Sequence, residues 1–167
     1  MEQILVAVSS LTGNTRILAH AAADALGVRA VALEEAPASL EAFDAVVLCF
    51  WCDKGAAPED VRRFAAKLSG KKMFCLATMG ADPQSEASRA WMARTAQELT
   101  ALGGGNTLVG TLLTRGRIDP AVFDRMTQML GGVVSPERQA TRDAAQTHPD
   151  RLDCLAAQQA VRQAFGR

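Results

Sequence analysis

Residues 9–15 form a short stretch of hydroxyl and amide side chains between an apolar run and a helical pattern. The stretch reads Ser9-Ser10-Leu11-Thr12-Gly13-Asn14-Thr15. The first N–H groups of a helix have no internal acceptor and lie at the positive end of the helix dipole, so such a turn can bind an anion. Its polar side chains add donors, and Gly13 lets the backbone approach a ligand closely. Because the turn contains no Lys or Arg, we predict a phosphate-binding loop made of neutral donors.

Two common phosphate motifs are missing from the chain. No G-x-x-x-x-G-K-[ST] occurs, and no G-x-G-x-x-G follows a strand. The remaining pattern is S-x-T-G-x-T at residues 10–15. An ordinary helix cap is the alternative explanation for these residues. The position of the turn after the first strand of an α/β chain favours phosphate binding.

The composition predicts one domain, residues 1–167, with a full core and no disulfides, since 49% of the residues are hydrophobic. Eighteen basic residues balance eighteen acidic ones, which argues against charge-driven binding of nucleic acid or a membrane surface. No run reaches the ~20 apolar residues that span a bilayer. Residues 1–3 lead directly into a strand without the features of a signal peptide, so we expect a cytoplasmic protein.

Five apolar runs alternate with helical patterns along the chain. We predict strands at 3–9, 28–33, 45–50, 72–78 and 107–113. We predict helices at 15–26, from Pro58 to Gly70, from Asp82-Pro83 to Leu102, and in three pieces of a helical C-terminal tail beginning at Asp119-Pro120, Ser135-Pro136 and Pro149-Asp150. The region 34–43 contains Pro37 and predicts at most a stunted helix. This alternation predicts an α/β three-layer sandwich with a five-stranded parallel sheet in the order 2-1-3-4-5.

In a sheet of this order, ligands bind beyond the carboxyl ends of the strands, where the first and third strands diverge. The loops after the third and fourth strands must then hold the rest of the ligand. Their candidate residues are Phe50, Trp51, Cys52, Asp53, Lys54 and Gly55, and Thr78, Met79, Gly80 and Ala81. Trp51 can stack on a flat ring, and backbone groups near Gly80 can bind its polar edge. The alternative is that Trp51 packs under a loop and that Gly55 and Gly80 are plain turn glycines.

The S-x-T-G-x-T turn resembles the FMN-phosphate loop of the flavodoxin family. Further motifs extend the resemblance over nearly the whole chain, to a bacterial flavodoxin-like subgroup that includes the flavodoxin-type partner of bilirubin reductase. These motifs are Phe50–Gly55, Ser69–Lys72, Thr78–Ala81, Gly110–Leu112, Gly116–Pro120 and Ser135–Arg138. The resemblance implies that the first loop holds the phosphate of FMN and that the isoalloxazine ring lies between the other two loops. It also implies that Gly55 turns its peptide toward the reactive flavin nitrogen.

The resemblance therefore implies an FMN-binding protein that carries electrons to or from a redox partner protein, such as a reductase or terminal enzyme. We expect it to act as a monomer or weak dimer, with no catalytic acid–base residue. A flavin-dependent NAD(P)H reductase is one alternative. A flavodoxin-like binding module that has lost its flavin is another.

Two features depart from the pattern of many flavodoxins. The chain has no Tyr, so Met79, an aliphatic residue or a partner must cover the second face of the ring. Lys54 also stands in a loop where many flavodoxins place acidic groups. Our hypothesis is that this cation stabilises the anionic reduced flavin and makes the midpoint potential less negative than in acidic flavodoxins.

Other polar signals carry little weight. Cys49 and Cys52 form a C-x-x-C, but Cys49 falls inside a strand rather than at a helix start, where such thiols are activated. No Cys/His spacing resembles a metal site, and we expect His20 to face solvent and His148 to lie in a loop. The stretch 115–117, Arg-Gly-Arg, is either a contact for a partner or an anionic substrate, or simply a solvated loop.

Overall fold

A computed structural model describes all 167 residues of the chain. Five strands alternate with helices up to the last strand, and helices alone follow it. The strands are β1 (Ile4–Val8), β2 (Ala30–Ala32), β3 (Ala45–Trp51), β4 (Lys72–Met79) and β5 (Thr107–Arg115). The α-helices are α1 (Asn14–Leu26), α2 (Glu59–Ala65), α3 (Glu86–Leu102), α4 (Pro120–Met129), α5 (Pro136–Ala145) and α6 (Arg151–Phe165). A single 3₁₀ turn, Leu33–Glu35, takes the place of the stunted helix.

All five strands are parallel and lie in the order β2-β1-β3-β4-β5, which confirms the predicted flavodoxin-like sheet. Val8 at the end of β1 pairs with Cys49, and Trp51 at the end of β3 pairs with Thr78. Met79 at the end of β4 pairs with Arg115. The carboxyl ends of β1, β3, β4 and β5 therefore lie along one edge of the sheet.

Alternate residues of the strands face opposite layers, as the period of a strand requires. Leu48 and Phe50 on one face of β3 pack with α2 and α3, whereas Val47 and Cys49 on the other face pack with α1 and α6. The side chains of β3 from Ala45 to Phe50 are completely buried. The strand is thus covered on both faces, which accounts for its uninterrupted apolar sequence.

Three predicted element boundaries are wrong, one of them the end of α2, which stops at Ala65 rather than continuing to Gly70. The helix α3 begins after Ser85, whose Oγ accepts a hydrogen bond from Ser88 N–H (3.1 Å), rather than at Asp82-Pro83. Asp82 accepts instead from Gln84 N–H (2.9 Å) and so forms a local turn ahead of the helix. The strand β2 is shorter than predicted, because only Ala30 to Ala32 pair with β1 at the sheet edge.

The chain after β5 forms two structural groups. The helix α6 packs against α1 and β5 and completes one outer layer of the sandwich. The helices α4 and α5 lie between β5 and α6 in sequence, and Phe123 of α4 joins them. Its ring lies 4.7 Å from the Arg138 guanidinium carbon and 4.6 Å from that of Arg142, both on α5. No helix of the protein combines the length and the apolar character needed to cross a bilayer.

Candidate functional site

A cavity of about 320 Å³ lies at the carboxyl edge of the sheet, a volume at the lower end of small-molecule sites. Residues from the loops after β1, β3, β4 and β5 line it. The lining residues are Ser10, Leu11, Thr12, Asn14, Thr15, Trp51, Cys52, Thr78, Met79, Gly80, Ala81, Gly116, Arg117, Ile118, Asp119, Val122 and Met126. The structure thus brings together parts of all three predicted loops and adds a fourth.

The loop after β1 begins α1 without a side-chain cap. Its N-cap residue is Gly13, at φ 98° and ψ −12°, a backbone conformation that favours glycine. Ser10 Oγ accepts hydrogen bonds from Gly13 N–H (3.1 Å) and from Arg16 N–H (3.4 Å). These two bonds fold the loop back on itself, so its shape is set by the chain before any ligand binds.

Most backbone donors of this loop have no acceptor within the protein. The N–H groups concerned are those of Ser10, Leu11, Thr12, Asn14 and Thr15. The helices α3, α4, α5 and α6, in contrast, all begin with a Ser or Asp side chain that accepts from their first turn. The start of α1 is therefore not an ordinary capped helix, and its free donors can bind an anion.

Three side chains of the same stretch connect the loop to its surroundings. Ser9 Oγ donates to Asp60 Oδ2 at the start of α2 (2.7 Å) and does not line the cavity. Thr15 Oγ1 lies 2.9 Å from Thr78 Oγ1 in a buried hydrogen bond that joins α1 to β4. Asn14 Nδ2 donates to the carbonyl of Arg117 beyond β5 (2.8 Å).

The loop after β3 contributes Trp51 and Cys52 to the cavity. Phe50 instead lies in the core, completely buried, with its ring centroid 6.4 Å from that of Trp91. Asp53 and Ala56 exchange backbone hydrogen bonds of 2.8 and 2.9 Å across a tight turn. Phe50, like Ser9 and Gly13 in the first loop, is therefore outside the set of cavity-lining residues.

The tip of that tight turn also lies outside the cavity lining. Its two central residues, Lys54 (φ 50°) and Gly55 (φ 79°), both have positive φ, as in a type I′ hairpin turn. The Gly55 carbonyl accepts a hydrogen bond from Trp91 Nε1 (2.9 Å). The backbone of the turn is thus held by α3, and Asp53, Lys54 and Gly55 are not among the residues that line the cavity.

The predicted residues after β4, from Thr78 to Ala81, all line the cavity. The N–H groups of Gly80 and Ala81 have no acceptor within the protein. The carbonyl of Met79, in contrast, already accepts a hydrogen bond from Gly116 N–H (2.8 Å). Arg115 adds a second connection, with its Nη2 3.7 Å from Asp82 Oδ1. This loop offers backbone donors to a ligand while its base is fixed to the end of β5.

The fourth side of the cavity comes from the chain after β5, where the sequence alone predicts either a contact for a partner or an anionic substrate, or a solvated loop. The residues it adds are Gly116, Arg117, Ile118, Asp119, Val122 and Met126. Arg117 is anchored rather than free, since its Nε donates to the carbonyl of Gln146 (3.0 Å). One signal could have indicated this side, namely apolar residues spaced four apart at 118, 122 and 126 around the cap residue Asp119.

A family model for the flavodoxin domain matches residues 5–162. The chain belongs to the flavodoxin family. It is 25% identical over 164 residues to the flavodoxin-like domain-containing protein BilS of Clostridioides difficile (strain CD3), covering 92% of this chain and 90% of that protein. Oxidised flavodoxin 2 of Bacillus cereus superposes with a TM-score of 0.58 at 19% identity, covering 98% and 97% of the two chains. Two-electron reduced Megasphaera elsdenii flavodoxin gives 0.54 at 19%, covering 86% and 98%.

Flavodoxin-type domains bind a flavin and transfer electrons, and the cavity fits that class of ligand. The free N–H groups of the α1 loop suit an anionic group, and Trp51 supplies an aromatic surface. The unpaired donors at Gly80 and Ala81 suit the polar edge of a ring. The backbone donors of the α1 loop that face an anion are therefore neutral N–H groups, and the loop itself contains no Lys or Arg.

The flavodoxin cavity has one thiol on its wall, and it is not activated. Partial burial raises the pKa of Cys52, with a smaller opposing effect from a hydrogen bond with the backbone of Gly55 and a further increase from Asp53. Complete burial raises the pKa of Cys49, and burial raises that of Cys75 to about 12. Because the thiolate is the reactive form, the C-x-x-C pair has no features of a dithiol redox site.

The predicted positions of the two histidines agree with the structure. His20 is exposed on α1. His148 precedes α6 and its Nδ1 lies 2.6 Å from Asp153 Oδ2, which also accepts from Asp150 N–H (2.8 Å). Asp150 and Asp153 form the capping box of α6, so this acidic pair is explained by the start of a helix.

Proposed function

We propose that this protein binds FMN in the cavity and carries electrons to or from a redox partner protein. The observation that supports it best is the uncapped start of α1, with its row of N–H groups that have no acceptor in the protein. These donors lie at the same sheet edge as Trp51. A phosphate on a ribityl chain and a flat ring are the two groups that such an arrangement would hold together.

The α1 loop would hold the phosphate of FMN by charge-assisted hydrogen bonds. A hydrogen bond to a charged group contributes about 1.5–3 kcal/mol. Ser10 Oγ accepts two hydrogen bonds within the loop and so positions the backbone donors, and its own O–H remains able to donate to the phosphate. Thr12 is exposed and its hydroxyl makes no hydrogen bond within the protein, which leaves it available to the phosphate.

Trp51 and the loop after β4 would position the ring. Stacking on Trp51 would contribute about 0.5–1.5 kcal/mol beyond area burial. The N–H groups of Gly80 and Ala81 would donate to acceptors on the pyrimidine edge. The bound flavin supplies the reversible electron acceptor, and the protein sets its exposure and potential.

We propose that the peptide of Gly55 turns toward the flavin, as the family resemblance implies. Its carbonyl is held by Trp91 Nε1 (2.9 Å), so a turned peptide must give up this hydrogen bond. The positive φ of Gly55 allows such a rotation at little steric cost. The energy of the Trp91 bond then opposes the rotation and contributes to the potential.

The experiment compares FMN with riboflavin, which lacks the phosphate. The apoprotein is titrated with each flavin and the quenching of flavin fluorescence is followed. Two charge-assisted hydrogen bonds of about 1.5 kcal/mol each predict that FMN binds roughly 100-fold more tightly than riboflavin. Equal affinities would contradict a phosphate site in the α1 loop, and no binding of either flavin would favour the flavin-less module.

A second measurement separates the electron carrier from the NAD(P)H reductase. The FMN-loaded protein is mixed anaerobically with NADPH or NADH, alone and with a catalytic amount of a flavodoxin reductase. We expect bleaching of the flavin absorbance only when the reductase is present. Steady-state turnover with the nicotinamide alone would favour the reductase instead.

A further inference from the structure

The space beside Gly80 is occupied by a residue from the chain after β5. A Cβ placed on Gly80 would lie 2.5 Å from Ile118 Cγ1 and 2.9 Å from Ile118 Cδ1. Any side chain at position 80 would therefore collide with Ile118. The space that a side chain at position 80 would occupy is therefore filled by Ile118, on the side of the cavity formed by β4 and β5.

Two further apolar side chains continue this surface. Val122 and Met126 follow Ile118 at intervals of four residues, and all three line the cavity. Residues four apart lie on one face of a helix, so Val122 and Met126 are neighbours along α4. We call Ile118, Val122 and Met126 the aliphatic wall. Trp51 lines the same cavity from the end of β3, which is separated from β5 in the sheet by β4.

The backbone at the base of the aliphatic wall is held from three directions. Gly116 N–H donates to the carbonyl of Met79 (2.8 Å), and the carbonyl of Arg117 accepts from Asn14 Nδ2 (2.8 Å). Arg117 N–H donates to the carbonyl of His148 (2.8 Å). The wall is thus fixed to the loop after β4, to the start of α1 and to the start of α6. Such anchoring lowers the entropy lost when a ligand packs against it.

We propose that the aliphatic wall is the second side of the flavin site and packs on the face of the isoalloxazine opposite Trp51. This inference rests on the proposed function, since it requires that the cavity takes a flavin. The chain has no Tyr, and the loop after β4 has no aromatic residue to stack on that face. Methyl and thioether groups can fill the space instead, because a Met side chain adapts to an irregular surface.

A matched pair on α4 tests the proposal with little risk to folding. Met126 lines the cavity and Met129 does not, although both are exposed, at 51% and 82%. We expect Met126→Ala to weaken FMN binding about fivefold to tenfold, because it removes apolar contact with the ring. We expect Met129→Ala to leave the FMN dissociation constant within about twofold of wild type. Flavin absorbance and visible circular dichroism should shift in Met126→Ala only, since they report contact with the ring.

A double-mutant cycle tests the position of Ile118. Gly80→Ala places its Cβ against Ile118 and should displace the wall, lowering FMN affinity about tenfold. Ile118→Ala should lower it by a similar factor. Since Ile118→Ala also removes the collision, the double variant should bind FMN no more weakly than Ile118→Ala alone, a clear departure from additivity.

The outcomes distinguish this inference from the proposed function. If wild type binds FMN and both Met126→Ala and Ile118→Ala bind it with unchanged affinity and spectra, the aliphatic wall is not part of the site, although the flavin assignment stands. Additive losses in the Gly80/Ile118 cycle would also overturn it. If wild type binds no flavin, the proposed function itself fails. Urea unfolding of each variant shows that the folded fraction is the same in every titration.

Discussion

The starts of α1 and α4 lie on the same cavity but are built in opposite ways. The first begins at Gly13 with no side-chain cap, and most N–H groups of the preceding loop have no acceptor. The second begins at Asp119, whose Oδ1 accepts from Val122 N–H (3.1 Å). The α1 start therefore presents a row of backbone donors to a ligand, whereas the α4 start has a side-chain cap and presents apolar side chains.

This difference shows how one sheet edge can hold a ligand with two chemically unlike ends. The donors of an uncapped helix can bind an anion, and the apolar side chains at the start of the second helix can pack against a ring. A single side chain joins the two helix starts, because Asn14 Nδ2 donates to the carbonyl of Arg117. Substitutions can add a side-chain cap to α1, remove the hydrogen bond between the two helix starts, or remove the cap of α4.

The largest effect is expected when α1 is given an acidic side chain at its N-cap. Gly13→Asp adds a carboxylate next to the free N–H groups of the loop, where it repels the phosphate and competes for those donors. We expect FMN to bind roughly 100-fold or more weakly, the loss of about two charge-assisted hydrogen bonds. Riboflavin has no phosphate to repel, so its affinity should fall much less. Fluorescence titration with each flavin gives the dissociation constants of FMN and of riboflavin.

Gly27→Asp is the control for backbone strain. Gly27 ends the same helix at φ 69°, and at both glycines a Cβ would meet no atom within 4 Å. An L-residue in a left-handed conformation costs roughly 1–2 kcal/mol, so both variants should lose stability in urea. Only Gly13→Asp should lose FMN affinity. If FMN affinity fell equally in Gly27→Asp, lower stability, rather than charge in the loop, would explain the weaker binding in Gly13→Asp.

The sequence predicted the α1 side of the cavity because its determinants are local. A strand, a hydroxyl-rich turn and a helix follow one another within residues 4–26, and the turn needs no distant residue to expose its donors. The strand order could also be predicted, because alternating strands and helices with right-handed connections allow few sheets. The boundary at Ser85 was missed for a local reason as well, since Asp82-Pro83 is an equally good start by composition.

The α4 side could not be predicted in the same way, because it depends on contacts between distant parts of the chain. Ile118 reaches the cavity through its packing on Gly80, and Arg117 is held by Asn14 and His148. None of these pairings has a sequence signature. For the same reason Phe50, adjacent to Trp51, was included among the candidates although alternation along β3 directs it into the core.

Breaking the connection between the two helix starts should have an intermediate effect. Asn14→Ala removes the donor to the Arg117 carbonyl, a hydrogen bond expected to contribute about 1 kcal/mol. Because both loops line the cavity, we expect FMN affinity to fall about fivefold. The measurement is the same titration, together with amide hydrogen exchange at residues 116–118, which should become faster.

Asn106→Ala is a matched control at the opposite edge of the sheet. Its side-chain amide donates to the carbonyls of Leu68 (3.0 Å) and Thr100 (3.3 Å). This substitution should lower the free energy of unfolding without changing the FMN dissociation constant. If Asn14→Ala behaves like Asn106→Ala, the two helix starts are not coupled through the ligand.

Removing the cap of α4 should have a smaller effect on binding. Asp119→Ala leaves Val122 N–H without its acceptor, and loss of an N-cap costs about 1 kcal/mol. Since the first turn of α4 then frays, hydrogen exchange there should accelerate and FMN affinity should fall about threefold. Ser135→Ala removes the equivalent cap from α5, outside the cavity, and should destabilise that helix with FMN affinity unchanged. Equal binding losses in both variants would contradict a local effect of α4.

The smallest effect is expected from charge beside the cavity. Lys54 is exposed at the tip of the turn after β3 and does not line the cavity, so water screens its charge. Lys54→Glu should still make the FMN midpoint potential more negative, because an anion replaces a cation near the reduced ring. Lys67→Glu makes the same charge change after α2, at the far edge of the sheet, and should leave the potential unchanged. A redox titration in which Lys54→Glu gives no shift, or an upward one, would reject a role for this cation.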